Sequence, residues 1–193
     1  MRECRRLAGI AGPVAFIVAW STLGERIPGY SPLRDPISRI AAVGAPTRWP
    51  MTAGFLVYAV AVGAYSPELR DRLGPGPAIA VAASAAGAVG IAVTPLDSRL
   101  GGGPHVASAA VTYASLAALP LLDGRRRFAD GRRGAALVST AAGIVASVSL
   151  VLSGFGRTSW TGLLQRLGLT IGDAWLILSA LERRPARPQR RTR

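Results

Sequence analysis

Six stretches of this chain are almost free of charge, and no other feature limits its fold so strongly. They are Leu7–Gly24, Met51–Ser66, Pro77–Thr94, Pro104–Leu122, Ala135–Gly154 and Thr161–Leu181. Each holds 16 to 21 residues, within or just under what a tilted membrane-spanning helix needs. Burial in a water-soluble fold fails on area, because 193 residues leave too little other chain to cover six helices that are apolar all round. In lipid the backbone must satisfy its own hydrogen bonds, which leaves helices or closed barrels. Runs rich in Ala and Gly without period-2 alternation select helices. The expected fold is all-α: a polytopic membrane bundle of six transmembrane helices over residues 1–181 with a short extracytoplasmic loop helix. An Arg-rich cytoplasmic tail, 182–193, is expected to be disordered. A mean hydropathy of +0.33 with only 17% charged residues excludes disorder for the rest.

Every basic residue is arginine, 23 in all. With a cytoplasmic N-terminus, sixteen fall on inner segments: Arg2, Arg5 and Arg6, the pair Arg70 and Arg72, five between Arg125 and Arg133, and six in the tail. Six fall outside: Arg26, Arg34, Arg39, Arg48, Arg99 and Arg157. This positive-inside bias predicts a multi-pass protein of the cell membrane with both termini cytoplasmic. It also accounts for most of the +13 net charge, so no specific nucleic-acid binding is expected. Membrane lipids are the expected partners, and a membrane-protein partner or a homo-oligomer stays open. The first run has the basic start of a signal peptide, but Ala19-Trp20-Ser21 is a poor cleavage site, so a retained helix is expected. In the third run Ala82, Ala86 and Gly90, with Ala83 and Gly87 beside them, suit close helix packing within the bundle. No internal repeat is visible.

The longest connection, Glu25–Pro50, predicts a short helix near Pro36–Val43, with Asp35 as N-cap, Pro36 at its first position and Gly44 as its stop. Ile37, Ile40 and Ala41 form an apolar stripe for the bilayer or the bundle mouth. Ser38 and Arg39 fall in the first turn, where a cation opposes the helix dipole, so Arg39 is expected to find a carboxylate or an anion. The next outer connection carries Asp97, three glycines that lack a P-loop ending, and His105, the one histidine. One His with Asp35 and Asp97 is too thin a set for zinc, and a single Cys adds nothing, so neither metal nor cofactor is expected.

The sixth run places Gln165, Arg166 and Asp173 in an apolar span. Each charge costs roughly 2.5–3.5 kcal/mol at mid-membrane, so an inward polar patch is expected. Arg166 and Asp173 lie about 10 Å apart along a helix and cannot pair directly. Arg166 is expected to face inward and meet Asp97 first among the carboxylates. Asp173 is expected level with Tyr113 if the fourth and sixth helices run side by side.

Asp35-Pro36-Ile37-Ser38 after the first helix, Pro95-Leu96-Asp97 after the third, His105 opening the fourth and Gly162-Leu163-Leu164-Gln165-Arg166 opening the sixth form an ordered set. It resembles the bacterial membrane family catalogued as domain of unknown function 998, over nearly the whole chain. The resemblance implies a six-helix integral membrane protein and supplies no activity. A fainter similarity to membrane hydrolases of the alkaline ceramidase type stops at the missing His pair of the last helix, so their chemistry is not carried over. The functional expectation is an outward pocket built from Asp35, Ser38, Arg39, Asp97, His105, Gln165, Arg166 and Asp173 that takes a lipid headgroup or small anion. The alternatives are a lipid-modifying enzyme, a hydrolase or transferase with Asp97 or His105 as acid/base, and a small ion-coupled transporter using Asp173.

Overall fold

The computed structural model describes residues 1–100, 102–154 and 159–182. Arg157 and the tail beyond Glu182 lie outside the described residues. The six apolar runs become six long helices: α1 (Arg2–Gly24), α2 (Arg48–Leu73), α3 (Pro75–Val93), α4 (Gly102–Ala129), α5 (Arg133–Gly154) and α6 (Thr161–Leu181). Several outrun their apolar stretch because charged residues continue the helix past the lipid. Thus α1 starts at Arg2, α2 runs through Glu68 to Leu73, and α4 runs through Arg127 to Ala129.

Neighbours in sequence pack side by side, and α6 closes the ring against α1 while also touching α4. One end, the loop end, carries the 25–47 connection; the other, the termini end, carries the start of α1 and the end of α6. The tightest connection is Gly74 alone, at φ +91 between α2 and α3. That left-handed φ favours glycine, and Pro75 restarts the helix at a position that needs no donor.

Large apolar side chains point outward, among them Val60, Ile79, Leu137, Val138 and Leu178. Small ones fill much of the interior, including Ala88, Ala92, Ala117 and Ala146. That inside-out pattern suits a bilayer, where lipid solvates bulk and small residues let backbones approach. Four helices, α1, α3, α4 and α5, are individually long and apolar enough to cross a membrane. The other two are of similar length but carry polar residues: Arg48 and the 68–72 charges in α2, and Gln165, Arg166 and Asp173 in α6. The three of α6 are buried. The fold is the expected membrane bundle.

The small-residue face of α3 is only partly what the spacing predicts. Gly87 and Gly90 do press against Thr112 and Ser108 of α4. Ala82 and Ala86 are exposed instead, because the α4 contact follows the Gly87–Gly90 side of the helix.

Candidate functional site

At the loop end, the 25–47 connection crosses the bundle as a strap. Its centre is a five-residue 3-10 helix, Ile37–Ala41, rather than an α-helix over 36–43. Asp35 does not cap it: Pro36 occupies that position and no side-chain cap bond forms. The Asp35 carboxylate instead accepts from the Ser31 N–H at 2.7 Å, while the Asp35 N–H donates to the Ser31 carbonyl at 2.7 Å. This reciprocal turn uses the carboxylate before the 3-10 helix begins. The apolar stripe turns into the bundle mouth, with Ile37 and Ile40 almost wholly buried.

Two adjacent side chains of α6 fasten the strap. Gln165 accepts from the Ile37 N–H at 2.7 Å through Oε1 and donates to the Tyr113 hydroxyl through Nε2. Arg166, 7% exposed, donates from Nη1 to the carbonyls of Pro32 (2.7 Å), Asp35 (3.0 Å) and Gly162 (2.9 Å), and from Nη2 to the Tyr30 hydroxyl. Its guanidinium carbon also lies 5.3 Å from the Trp20 ring and 5.6 Å from the Tyr30 ring, cation–π range. The Leu163 N–H adds a bond to the Leu33 carbonyl at 3.0 Å. Glycine at 162 permits this approach, since a Cβ there would stand 2.5 Å from the Pro32 carbonyl oxygen.

Arg166 therefore faces inward as expected, but meets carbonyls and aromatic faces instead of a carboxylate. Asp97 is no candidate partner: it is exposed in the turn after α3, at φ +62. Carbonyl dipoles from an irregular strap take the Nη1 end of the buried guanidinium, without the second desolvated charge that an ion pair needs, while Nε finds no partner among the described residues. Burial raises the pKa of the Tyr30 hydroxyl, against the opposing pull of the Arg166 charge.

Beneath the strap lies a narrow cavity of about 30 Å³. Its walls are largely apolar, with Phe16, Phe55, Ile91, Leu116 and Leu169. Polar groups also line it: Ser38 from the strap, Tyr58 from α2, His105, Thr112 and Tyr113 from α4, and Gln165 from α6. His105 is buried, and its Nδ1 lies 2.7 Å from the Thr94 carbonyl. A carbonyl only accepts, so Nδ1 carries a proton and donates it to Thr94. Among the described residues, no Asp, Glu or Arg lines the space.

A family model described as Protein of unknown function (DUF998) matches residues 10–182. The chain belongs to this family. No curated protein and no solved structure matches it. The match takes in all six helices, the strap and the cavity of this DUF998 member.

Of the residues singled out from sequence, Ser38, His105 and Gln165 line the cavity of the DUF998 chain. Asp35 and Arg39 stay on the strap, their side chains 3.9 Å apart, with Arg39 mostly exposed. Asp173 sits deeper and almost wholly buried, beside the Tyr58 hydroxyl rather than Tyr113. Tyr58 in turn lies 3.3 Å from Ser84 Oγ, so it links Asp173 to the cavity wall. Among the described residues, no three His, Cys, Asp or Glu side chains gather where they could hold a metal.

Sequence reasoning missed Tyr30 and Trp20, and named Tyr113 beside Asp173 where the structure pairs it with Gln165, because these roles depend on contacts between helices. It also missed a polar network at the termini end. There Arg127 pairs with Asp123 at 2.5 Å and Glu182 at 2.7 Å, Ser139 donates to Asp123 at 2.8 Å, and Arg72 donates to the carbonyls of Ser179 and Glu182. The one advance sign was the i,i+4 spacing of Asp123 and Arg127 on α4.

Proposed function

We propose that this DUF998 protein binds an uncharged amphiphile of the membrane at the narrow loop-end cavity, whose side chains move apart to admit it. The apolar part lies against Phe16, Phe55, Ile91 and Leu169, and a hydroxyl or carbonyl bonds to Tyr113 or His105. The supporting observation is the lining itself: apolar walls, several hydrogen-bonding side chains and, among the described residues, no carboxylate and no guanidinium. Sites of this make-up take apolar ligands and orient them with a few polar groups. A headgroup phosphate or small anion is less well served, because Arg166 is already engaged by the strap.

Thermal melting of the purified protein with added lipids tests this reading. Diacylglycerol or a long-chain alcohol should raise the melting temperature by mass action, and phosphatidylglycerol should do so less. Ala109→Phe, which fills the cavity from α4, should remove the effect of the neutral lipids. Equal stabilisation in wild type and Ala109→Phe refutes the assignment.

The same reading places the protein in the cell membrane with both termini cytoplasmic and the cavity near the outer surface. The arginine asymmetry supports it. A C-terminal alkaline phosphatase fusion should be inactive, and an active one reverses the orientation.

A further inference from the structure

Asp173 is a buried acid that neither the strap nor the amphiphile site uses. It lies midway along α6, 1% exposed, and none of the ion pairs among the described residues includes it. Its Oδ1 has no hydrogen-bond partner among those residues, and the Tyr58 hydroxyl of α2 is the polar group beside the carboxyl. Ser84 of α3 stands 3.3 Å from that hydroxyl, and the Phe16 ring of α1 lies 5.2 Å from the Tyr58 ring. At this level α4 packs Leu116 against Gly172, and nearer the loop end α5 packs Leu150 against Gly168. None of these groups is a cation. Arg166, on the same helix, stands about 10 Å away along the axis and is engaged by the strap.

A carboxyl so placed costs far more as an anion than as an acid, because neither water nor a counter-ion offsets its desolvation. Intramembrane acids act as proton sites where a path reaches them. Here the path comes from the loop end. Tyr58 touches Asp173 and also lines the cavity under the strap. At about 30 Å³ that cavity has room for about two waters, at about 10–15 Å³ each. Ser38, Thr112, Tyr113 and Gln165 offer such waters hydrogen-bond partners, and Ser38 is part-exposed on the strap. Toward the termini end the way is closed. Val62, Leu69 and Leu176 are wholly buried there, and the next polar pair, Tyr65 with Ser179 at 3.0 Å, comes about 9 Å farther along α6.

We propose that Asp173 is a proton-binding site inside the bundle, open to the loop end through Tyr58 and the cavity and closed toward the termini end. At rest the carboxyl carries the proton. On release the Asp173 O–H bond breaks as its proton passes to the Tyr58 oxygen, and the proton that Tyr58 held passes to a cavity water. The products are an Asp173 carboxylate and a hydronium ion, and the Tyr58 hydroxyl ends as it began. Uptake is the reverse. The site needs only water in the cavity and does not rest on the amphiphile reading.

Infrared spectroscopy reads this proton directly, because the carbonyl stretch of a protonated carboxyl stands apart from the bands of a carboxylate. The full chain at neutral pH, in a detergent without ester groups, should show that stretch, and the nearly isosteric Asp173→Asn should lose it. In heavy water the band should shift before the helical amides exchange, which marks a route that needs no unfolding. Tyr58→Phe should slow the shift about tenfold, the effect of one buried hydrogen bond. Tyr65→Phe removes a hydroxyl on the closed side and should leave the rate unchanged. Absence of the band in wild type, or its survival in Asp173→Asn, overturns the site. Exchange no faster than that of the amides, or equal rates in Tyr58→Phe and Tyr65→Phe, overturns it as well. Should Asp173→Asn fail to fold, aspartate labelled with heavy carbon at the carboxyl assigns the band in the wild-type chain. The other aspartates are ion-paired (Asp35, Asp123, Asp130) or exposed (Asp71, Asp97), so an isotope shift of the band supports Asp173 and its absence overturns the assignment.

Discussion

Arg166→Met isolates the strap from the bundle. The substitution keeps length and apolar stem but removes every guanidinium bond. The Gly162 carbonyl is not orphaned, because the helix N–H of residue 166 still reaches it. The Pro32 and Asp35 carbonyls lose their charged donor, at about 1.5 kcal/mol each for half-buried acceptors. The two ring contacts add about 0.5 kcal/mol each at this exposure. Relief of the buried charge offsets part of the sum, leaving a loss of about 3 kcal/mol, or about 150-fold in the strap's opening equilibrium. Hydrogen exchange should therefore accelerate by about two orders of magnitude at the amides of Asp35 and Ile37. The helical amides of α3 and α5 should not change. Arg166→Lys should fall between, since an ammonium keeps the charge but not the fork that spans separate acceptors. Unchanged exchange across the strap, or uniform acceleration through the whole bundle, refutes the reasoning.

Gly87→Val should lower the melting temperature, because its Cβ would sit 2.8 Å from the Ser108 carbonyl and 2.9 Å from the Thr112 nitrogen, backbone atoms that cannot give way. Overpacking of this kind costs about 1–3 kcal/mol. Asp123→Asn should cost about 3 kcal/mol in detergent unfolding, at the low end for a broken buried pair, because Arg127 keeps Glu182. Tyr30 is held above its ordinary pKa in the fold, so its contribution is complete below the unfolded tyrosine value and is lost as pH rises through the folded one. Strap protection, followed by hydrogen exchange corrected for intrinsic rate, should decline in that alkaline window, and Tyr30→Phe should remove the decline.

The apolar runs already contained the six helices, since lipid tolerates few alternatives for an uncharged stretch of that length. The cost of Arg166 and Asp173 in a span likewise foretold that α6 turns them inward. What spacing could not supply was the identity of their partners. Arg166 donates to the carbonyls of Pro32 and Asp35, and a carbonyl has no signature in a sequence because every residue owns one. Asp35 misled for a related reason: the side chain that suits a helix N-cap suits a turn equally well, and the reciprocal bond with Ser31 depends on backbone geometry. Asp97 fell out because a loop between two spans can end at the right membrane surface and still point away from the bundle.

The strap has a consequence for the order in which the protein is made. Residues 25–47 leave the ribosome early, yet the side chains that fasten them, Gln165 and Arg166, belong to the sixth helix. Until α6 inserts, the Pro32 and Asp35 carbonyls and the Ile37 N–H lack these partners, and the strap has nothing on that side to hold it down. Synthesis therefore leaves the first connection open until the sixth helix arrives, and α6 is its latch. A chain truncated after α5 should be a preferred target for membrane proteolysis, with the earliest cuts inside 25–47.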